Sequence, residues 1–252
     1  MSALVLENVT RSFGGVHAVA GVSLQAPRGR ITGLIGPNGA GKTTLINLIT
    51  GTLGLSSGRI TLADQDLGTQ EPHVVARNGV SRTFQNIRLL PEATVLENVM
   101  IGFHRHERVS ILAGLLGLPA SRRETAQIME KSMALLERFH IKRFAAMPAG
   151  ALAYGHQRRV EMARAVASDP AILLLDEPVA GMNDVEANEL GDIFEELARG
   201  NMGLILIEHN IRFVTRMAQH VYVLASGRLI SEGTPQEVMR DEKVVVAYLG
   251  KK

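Results

Sequence analysis

The fold of this chain is decided by the stretch Gly36-Pro37-Asn38-Gly39-Ala40-Gly41-Lys42-Thr43-Thr44. All of it up to Thr43 matches the pattern G-x-x-x-x-G-K-[ST] without a mismatch. Glycines let the backbone curl so that several N–H groups point at phosphate oxygens, and a following helix adds its positive N-terminal end. In this pattern Lys42 reaches the β- and γ-phosphates, and the Thr43 hydroxyl ligates Mg²⁺. The stretch therefore predicts a binding site for ATP with Mg²⁺ beside its phosphates.

The residues on both sides of the loop support this interpretation. Residues 31–35 form a compact apolar run, which predicts a strand that leads directly into the loop. After the loop the apolar residues follow a helical period, and Gly51 is a suitable helix stop. A glycine-rich turn without a ligand is the alternative. The order strand, loop, helix favours the phosphate site.

Two carboxylates form a second candidate site. Asp176 and Glu177 directly follow the apolar run Ile172-Leu173-Leu174-Leu175. Such a run is typical of a strand buried on both faces of a parallel sheet, and ligands collect beyond the carboxyl ends of such strands. We expect Asp176 to hold Mg²⁺ through water and Glu177 to orient and polarise the attacking water. Two exposed acids at the end of a strand are the alternative, which the phosphate loop makes less favourable.

The rest of the pattern indicates an α/β protein. The first thirty residues alternate between apolar and polar, which predicts short antiparallel strands. Residues 86–166 lack strand-like runs and are rich in helix formers. Within them we expect a helix over residues 125–139, with a stripe of Met129, Met133 and Leu136, and a turn at residues 114–121. Strand–helix alternation then resumes. It includes strands at residues 204–207 and 221–224, and a capping box that begins at Thr234.

Composition narrows the class of protein. The 252 residues are 46% hydrophobic and 21% charged, as in ordinary soluble globular proteins. The 27 basic residues nearly balance the 25 acidic ones, so no nucleic-acid surface is indicated. Disulfides and thiolate metal sites are excluded because there is no cysteine. The N-terminus does not have the pattern of a signal peptide, and the apolar stretch 109–119 is about half as long as a membrane span. We expect a soluble, cytoplasmic chain.

A third motif lies between the loop and the acidic strand: Leu152-Ala153-Tyr154-Gly155-His156-Gln157-Arg158-Arg159, followed by a helical segment. With this motif the chain resembles an ATP-binding cassette (ABC) ATPase. The resemblance implies a P-loop NTPase (RecA-like) core with a parallel sheet, made of residues 1–85 and 167–252. It also implies an N-terminal antiparallel β subdomain and a helical subdomain inserted at about residues 86–166.

The resemblance also implies roles for single residues. Phe13 would stack on adenine, Gln85 would contact Mg²⁺ and sense a partner, and His209 would act near the γ-phosphate beside Glu177 and Lys42 in catalysis. The signature residues, which would close on the ATP held by a second subunit, are Ala153, Tyr154, Gly155 and His156. Taken alone, each such residue is more often structural. Together, however, seven such features occur along the chain in the family's order.

Two residues depart from the family pattern. The signature usually reads Leu-Ser-Gly-Gly-Gln, and Ala153 has no hydroxyl to donate. The contact with the γ-phosphate must then rest on backbone N–H groups and on the helix dipole. Asn183 replaces the aspartate that is common in the loop after Glu177. A charged contact between subunits is therefore in question at this position.

The resemblance extends to partners and substrate. A single cassette would complete its ATP sites as a head-to-tail homodimer or as a heterodimer with a sister ATPase. It would work on the inner face of the cell membrane with permease subunits, docked in a groove beside Gln85, and indirectly with a periplasmic or surface substrate-binding protein. Tyr154, the loop Ala180-Gly181-Met182-Asn183 and residues 244–250 are similar to the ATPases of bacterial branched-chain amino-acid importers.

The branched-chain importers are the first expectation, and three alternatives remain open. The chain would otherwise be the ATPase of a urea transporter or of a lipopolysaccharide transporter, whose cassettes look alike. It would otherwise be a regulatory subunit that closes on ATP with little turnover. Glu177 and His209 argue against the last of these, because a pure binder needs no positioned base.

Overall fold

The computed structural model describes residues 3–83, 85–106 and 119–249. The strands are β1 (Ala3–Phe13), β2 (Val16–Pro27), β3 (Ile31–Ile35), β4 (Ser57–Leu62), β5 (Gln65–Asp66), β6 (Val80–Arg82), β7 (Ile172–Asp176), β8 (Gly203–Ile207), β9 (His220–Ala225) and β10 (Arg228–Gly233). The α-helices are α1 (Lys42–Ile49), α2 (Pro72–Arg77), α3 (Val95–Met100), α4 (Pro119–Arg138), α5 (Tyr154–Ala167), α6 (Asp184–Arg199), α7 (Ile211–Met217), α8 (Pro235–Arg240) and α9 (Glu242–Leu249). Short 3₁₀ helices cover Ile101–His106, Lys142–Phe144 and Ala149–Ala151.

The larger sheet has the strand order β10-β9-β3-β8-β7-β6. Its strands are parallel except for β10, which pairs antiparallel with β9. In β7, Leu173 and Leu175 belong to one hydrophobic core and Ile172 and Leu174 to the other. Both faces of the sheet are therefore covered, which is why its strands read as continuous apolar runs. The predicted α/β fold with a parallel-sheet core is confirmed.

A smaller antiparallel sheet, with the order β2-β1-β4-β5, contains the N-terminal segment. The prediction of short strands was wrong in length, because β1 has 11 residues and β2 has 12. Their pairing shifts register three times, between Leu6 and Val9, between Val9 and Arg11, and again before Ser12. Such irregularities interrupt the alternation of apolar and polar residues while the two strands stay paired.

The described residues between β6 and β7 form helices and one isolated bridge, between Thr94 and Pro148. The helical stripe predicted for α4 was partly wrong, since Leu136 is buried but Met129 is 46% exposed. The buried positions are instead Ser132, Leu136 and, just past the helix, Phe139, so Met129 lies at the edge of the stripe. The extent of this helical subdomain stays a prediction.

Two other predictions concern the start of α4. The turn expected at residues 114–121 was wrong at its end, because α4 begins at Pro119. Residues 114–118 lie outside the described residues, as does the apolar stretch 109–119 apart from Pro119. Within the described ranges, no helix is both long and apolar enough to cross a bilayer.

Candidate nucleotide site

The phosphate loop leaves the sheet at the end of β3 and enters α1 at Lys42. Gly36 and Gly41 have φ values of 155° and 102°. A Cβ at Gly36 would lie 2.1 Å from the Leu224 carbonyl oxygen, and one at Gly41 would lie 2.4 Å from that of Ala18. Only glycine fits these positions. The predicted order of strand, loop and helix is confirmed.

The ammonium group of Lys42 lies folded across this loop. Its Nζ donates hydrogen bonds to the carbonyl oxygens of Gly36, at 2.6 Å, and of Pro37, at 3.0 Å. Burial lowers the pKa of Lys42, and the carboxylates of Glu177 and Asp176 oppose that shift. The cation is thus partly desolvated and close to both acids.

The loop and the acidic strand face one cavity of about 340 Å³. Because β3 and β7 both run parallel to β8, which lies between them, their carboxyl ends lie at the same edge of the sheet. The cavity is lined by Ala18, Asn38, Gly39, Ala40, Gly41, Lys42, Thr43, Thr44, Gln85, Asp176, Glu177 and Ile207. The structure therefore brings together every residue for which we expected a role in metal binding.

Asp176 has a neighbour that the sequence pattern did not indicate. Its Oδ2 accepts a hydrogen bond from Arg82 Nη2 at 2.9 Å, and Arg82 Nη1 donates to Asn47 Oδ1 at 2.7 Å. Arg82 ends β6, the strand next to β7 in the sheet. With three residues, β6 is too short to show a period, so its pairing could not be read from the sequence. The contact fixes one carboxylate oxygen of Asp176.

Glu177 lies between two side chains expected to act with it. Its Oε2 accepts a hydrogen bond from Gln85 Nε2 at 3.2 Å, and its Oε1 is 3.5 Å from His209 Nδ1. The φ of Glu177 is +49°, and its N–H donates to the Ile207 carbonyl at 2.9 Å. A non-glycine residue held in this left-handed region costs on the order of 1 kcal/mol, and such strain is common at functional sites. The strained turn presents the carboxylate at the cavity.

A buried acid, Glu208, supports the loop that carries His209. Its side chain is 1% exposed. It accepts hydrogen bonds from the backbone N–H groups of Val179 at 3.2 Å, His209 at 3.2 Å and Asn210 at 3.4 Å. Burial raises the pKa of Glu208, although the N–H groups of Val179 and Asn210 oppose that shift. No sequence motif marked this residue, because its partners are backbone groups brought close by folding.

We expect Glu208→Gln to lower the free energy of unfolding by about 1–3 kcal/mol. The new amide N–H₂ would face at least one buried N–H group, which would then have no acceptor. Urea unfolding measures the change. Glu232→Gln, at an exposed position of β10, is the control and should have little effect. Equal free energies of unfolding for both variants would contradict the support assigned to Glu208.

Phe13 lies apart from this cavity. Its ring is 45% exposed at the end of β1, and the guanidinium carbon of Arg11 is 4.7 Å from the ring centroid. Among the described residues, those that line the cavity do not include Phe13. Its stacking on adenine stays a prediction.

The signature residues form the start of α5. Ala153 is the N-cap residue and makes no side-chain cap, while Tyr154 is 48% exposed. Gly155 is in the first turn, followed by His156, whose ring centroid is 4.7 Å from that of Phe144. Burial, together with the charge of Arg159, lowers the pKa of His156. None of the signature residues is among the described residues that line the cavity at the phosphate loop.

The second departure, Asn183, has a local structural role. It is the N-cap of α6, and its Oδ1 accepts hydrogen bonds from the N–H groups of Val185 at 2.9 Å and Glu186 at 3.0 Å. Glu186 in turn accepts from the Asn183 N–H at 3.1 Å. This is a capping box. The Asn183 side chain is therefore engaged within its own chain.

A larger groove of about 580 Å³ lies between the sheet edge and α5. It is lined by His73, Ala76, Arg77, Val80, Ser81, Arg82, Gly102, His104, Glu161, Arg164, Ala165 and Ser168. Basic side chains predominate, and Glu161 is the acid among these residues. His104, for which the sequence indicated no role, belongs to this groove. The groove is separate from the phosphate-loop cavity, but Arg82, which lines it, contacts Asp176.

A phosphate loop and a carboxylate pair that line one cavity at the carboxyl ends of parallel strands define a P-loop nucleoside triphosphatase. The chain belongs to the ABC transporter family, whose model matches residues 19–180, and it is an ATP-binding ATPase of that family. Residues 228–252 match a second model, described as branched-chain amino acid ATP-binding cassette transporter.

Relatives cover the whole chain. The high-affinity branched-chain amino acid transport ATP-binding protein BraF of Pseudomonas aeruginosa is 41% identical over 99% of both chains. LivG of Escherichia coli, with the same description, is 40% identical over 98% of this chain and 97% of its own. The lipopolysaccharide export system ATP-binding protein LptB of Escherichia coli is 33% identical over 99% of this chain and 98% of its own. A solved structure, the ADP conformation of the ATP-binding cassette MJ1267, is 35% identical, covers all of both chains and has a TM-score of 0.86.

Proposed function

We propose that this chain is the ATP-hydrolysing subunit of a bacterial importer for branched-chain amino acids. The observation that carries the substrate class is the match of residues 228–252 to the branched-chain model. The identity of 41% to BraF over the full length supports it, against 33% to LptB. Transport of lipopolysaccharide is therefore the weaker candidate.

Hydrolysis in this proposal takes place in the phosphate-loop cavity. The loop N–H groups and Lys42 bind the β- and γ-phosphates of ATP. Glu177 accepts a proton from the attacking water. Gln85 and His209 hold the two carboxylate oxygens of Glu177 in place. His209 would also contact the γ-phosphate. Gln85 and Glu177 line one cavity, and His209 Nδ1 lies 3.5 Å from the Glu177 carboxylate, and this arrangement is the observation that carries the reaction.

The cavity suits Mg²⁺. The hydroxyl of Thr43, the carboxylate of Asp176 and the side-chain amide of Gln85 are oxygen donors that line it together. In the described part of the chain, no cluster of three or more His, Cys, Asp or Glu residues could hold a metal alone. Magnesium is usually held by one or two carboxylates together with substrate phosphates. These three residues would hold Mg²⁺, which would neutralise phosphate charge.

A second subunit completes each ATP site in this proposal. The N-terminus of α5 carries the positive end of the helix dipole, and a terminal phosphate suits it. Because the signature residues do not line their own chain's cavity, the phosphate would be the one held by the other subunit. With alanine at position 153, backbone N–H groups would make this contact. The second subunit would be a copy of this chain or a sister ATPase.

We further propose that the groove between the sheet edge and α5 binds a segment of the permease. Arg77 and Arg164 give it a positive charge, so an acidic segment complements it. A segment bound there would lie next to Arg82, which contacts Asp176. Through the permease the chain would sit on the inner face of the cell membrane and serve a substrate-binding protein. Nucleic acid would have no part in this assembly.

Purification of the tagged chain from native membranes tests these partners. We expect permease subunits to copurify with a leucine-binding protein, whereas a lipid-extracting partner would contradict the substrate class.

Arg77→Glu, at an exposed position in the groove, should reduce recovery of the permease at least about tenfold without loss of ATP binding. Arg240→Glu, at an exposed position outside the groove, is the matched control. Equal recovery with both variants would contradict docking in the groove.

A further inference from the structure

We infer that Arg158 is a positioning residue that connects the signature to Gln85, and through Gln85 to Glu177 of the same chain. This inference rests on the proposed function, since it links the surface that meets one ATP to the base that acts on another. Arg158 lies on α5, one turn after Tyr154, and is 1% exposed.

The guanidinium group of Arg158 contacts three parts of the molecule at once. Its Nε donates to the Tyr154 hydroxyl oxygen at 3.1 Å. Its Nη2 donates to the backbone carbonyl oxygen of Gln85. Its Nη1 donates to Glu161 Oε2 at 3.3 Å. Because the group is planar and rigid, a displacement of one partner is passed to the others.

The segment that begins at Gln85 is attached to α5 at further points. The N–H of Arg88 donates to Glu161 Oε1 at 3.4 Å, and Arg164 Nη2 donates to the Arg88 carbonyl oxygen. Both ends of the stretch 85–88 thus contact α5, the helix that begins with the signature residues. The position of Gln85 therefore depends on the position of α5.

The path continues from Gln85 to the acidic centre. The backbone of Gln85 is held by Arg158, while its side-chain Nε2 donates to Glu177 Oε2 at 3.2 Å. At the other end, Tyr154 is half exposed, and a Cβ at Gly181 would be 3.6 Å from its ring. In the proposed dimer, Tyr154 would lie at the surface that meets the second subunit's nucleotide. Closure of the two subunits would then displace Tyr154, and Arg158 would pass this displacement to Gln85.

Lysine is the informative replacement for Arg158. Removal of the charge would take away a cation that contacts the buried carboxylate of Glu161, and the loss of one partner of a buried ion pair destabilises a protein strongly. Lysine keeps the charge, but its ammonium is a single point that cannot hold Tyr154, Gln85 and Glu161 together. In the purified transporter we expect Arg158→Lys to lower kcat about tenfold with the Kd for ATP unchanged.

The neighbouring Arg159 supplies a matched control. It is also buried on α5, but it donates to Glu189 at 2.6 Å and to the Phe139 carbonyl at 3.3 Å. We expect Arg159→Lys to leave kcat within about twofold of the wild type. A fall in kcat as large as that of Arg158→Lys would overturn the inference, because burial alone would then explain both.

A double-mutant cycle distinguishes an effect of Arg158 that acts through Gln85 from a general loss of stability. In a Gln85→Ala background, Arg158→Lys should lower kcat no further, because the link to Glu177 is already broken. Tyr154→Phe, which keeps the ring but removes the hydroxyl, should lower kcat and be non-additive with Arg158→Lys. If Arg158→Lys lowers kcat by the same factor with and without the Gln85 side chain, the inference is overturned. A wild-type transporter without ATP turnover would instead contradict the proposed function.

Discussion

Replacement of Glu177 by glutamine is expected to lower ATP turnover about 100-fold or more while ATP binding is retained. The amide keeps the size of the side chain but cannot accept a proton from water. It can still lie between Gln85 and His209, which are 3.2 and 3.5 Å from the carboxylate oxygens. Phosphate release measures turnover, and nucleotide titration measures binding. Because ATP stays bound, gel filtration should show a dimer trapped by it.

Glu195→Gln is the control for this change. Glu195 lies on α6, where its half-exposed carboxylate pairs with Arg199 at 3.5 Å. Its loss should leave turnover unchanged, as an exposed ion pair contributes little. Equal turnover in wild type and Glu177→Gln would remove Glu177 from its role as base.

The second large effect is expected for Lys42→Ala, which should weaken ATP binding about 100-fold. Lys42 Nζ is held by the carbonyls of Gly36 and Pro37 at the mouth of the loop, where it is partly desolvated. A charged hydrogen bond to phosphate is worth more there than in open water. Isothermal titration with ATP measures the change in affinity.

Lys142→Ala serves as the control, because Lys142 is exposed and pairs with Glu137 at 2.8 Å. It should bind ATP as the wild type does. An unchanged affinity in Lys42→Ala would mean that the loop is not the phosphate site.

The fold could be predicted where residue types alone are decisive. The loop requires glycine at Gly36 and Gly41, where any Cβ would meet a backbone oxygen. Strands β3 and β7 have both faces covered, so their apolar runs were unambiguous. These features account for the phosphate loop and for the acids that follow β7.

The supporting contacts could not be predicted, since they depend on which strands are neighbours. Arg82 contacts Asp176 because β6 pairs with β7, and β6 has three residues. Glu208 is held by backbone N–H groups, which carry no sequence signal. Arg158 reaches Gln85 across 73 positions of the chain. Such contacts require the three-dimensional fold.

The structure explains neither of the two departures from the family pattern. Asn183 caps α6, but aspartate caps a helix about as well, so capping does not account for asparagine here. Ala153 makes no side-chain cap on α5. The side chain of Ala153 therefore offers no hydrogen-bond acceptor to the N–H groups at the start of α5. The structure gives no reason for alanine at this position.

We expect hydrolysis at Glu177 to drive uptake of a branched-chain amino acid. The most direct test uses proteoliposomes that contain this chain and its copurified permeases, with the substrate-binding protein on the opposite side. We expect leucine uptake only when ATP is on the side of this chain, and loss of uptake with Glu177→Gln. Leucine uptake that persists with Glu177→Gln, or ATP turnover without any leucine uptake, would contradict the claim.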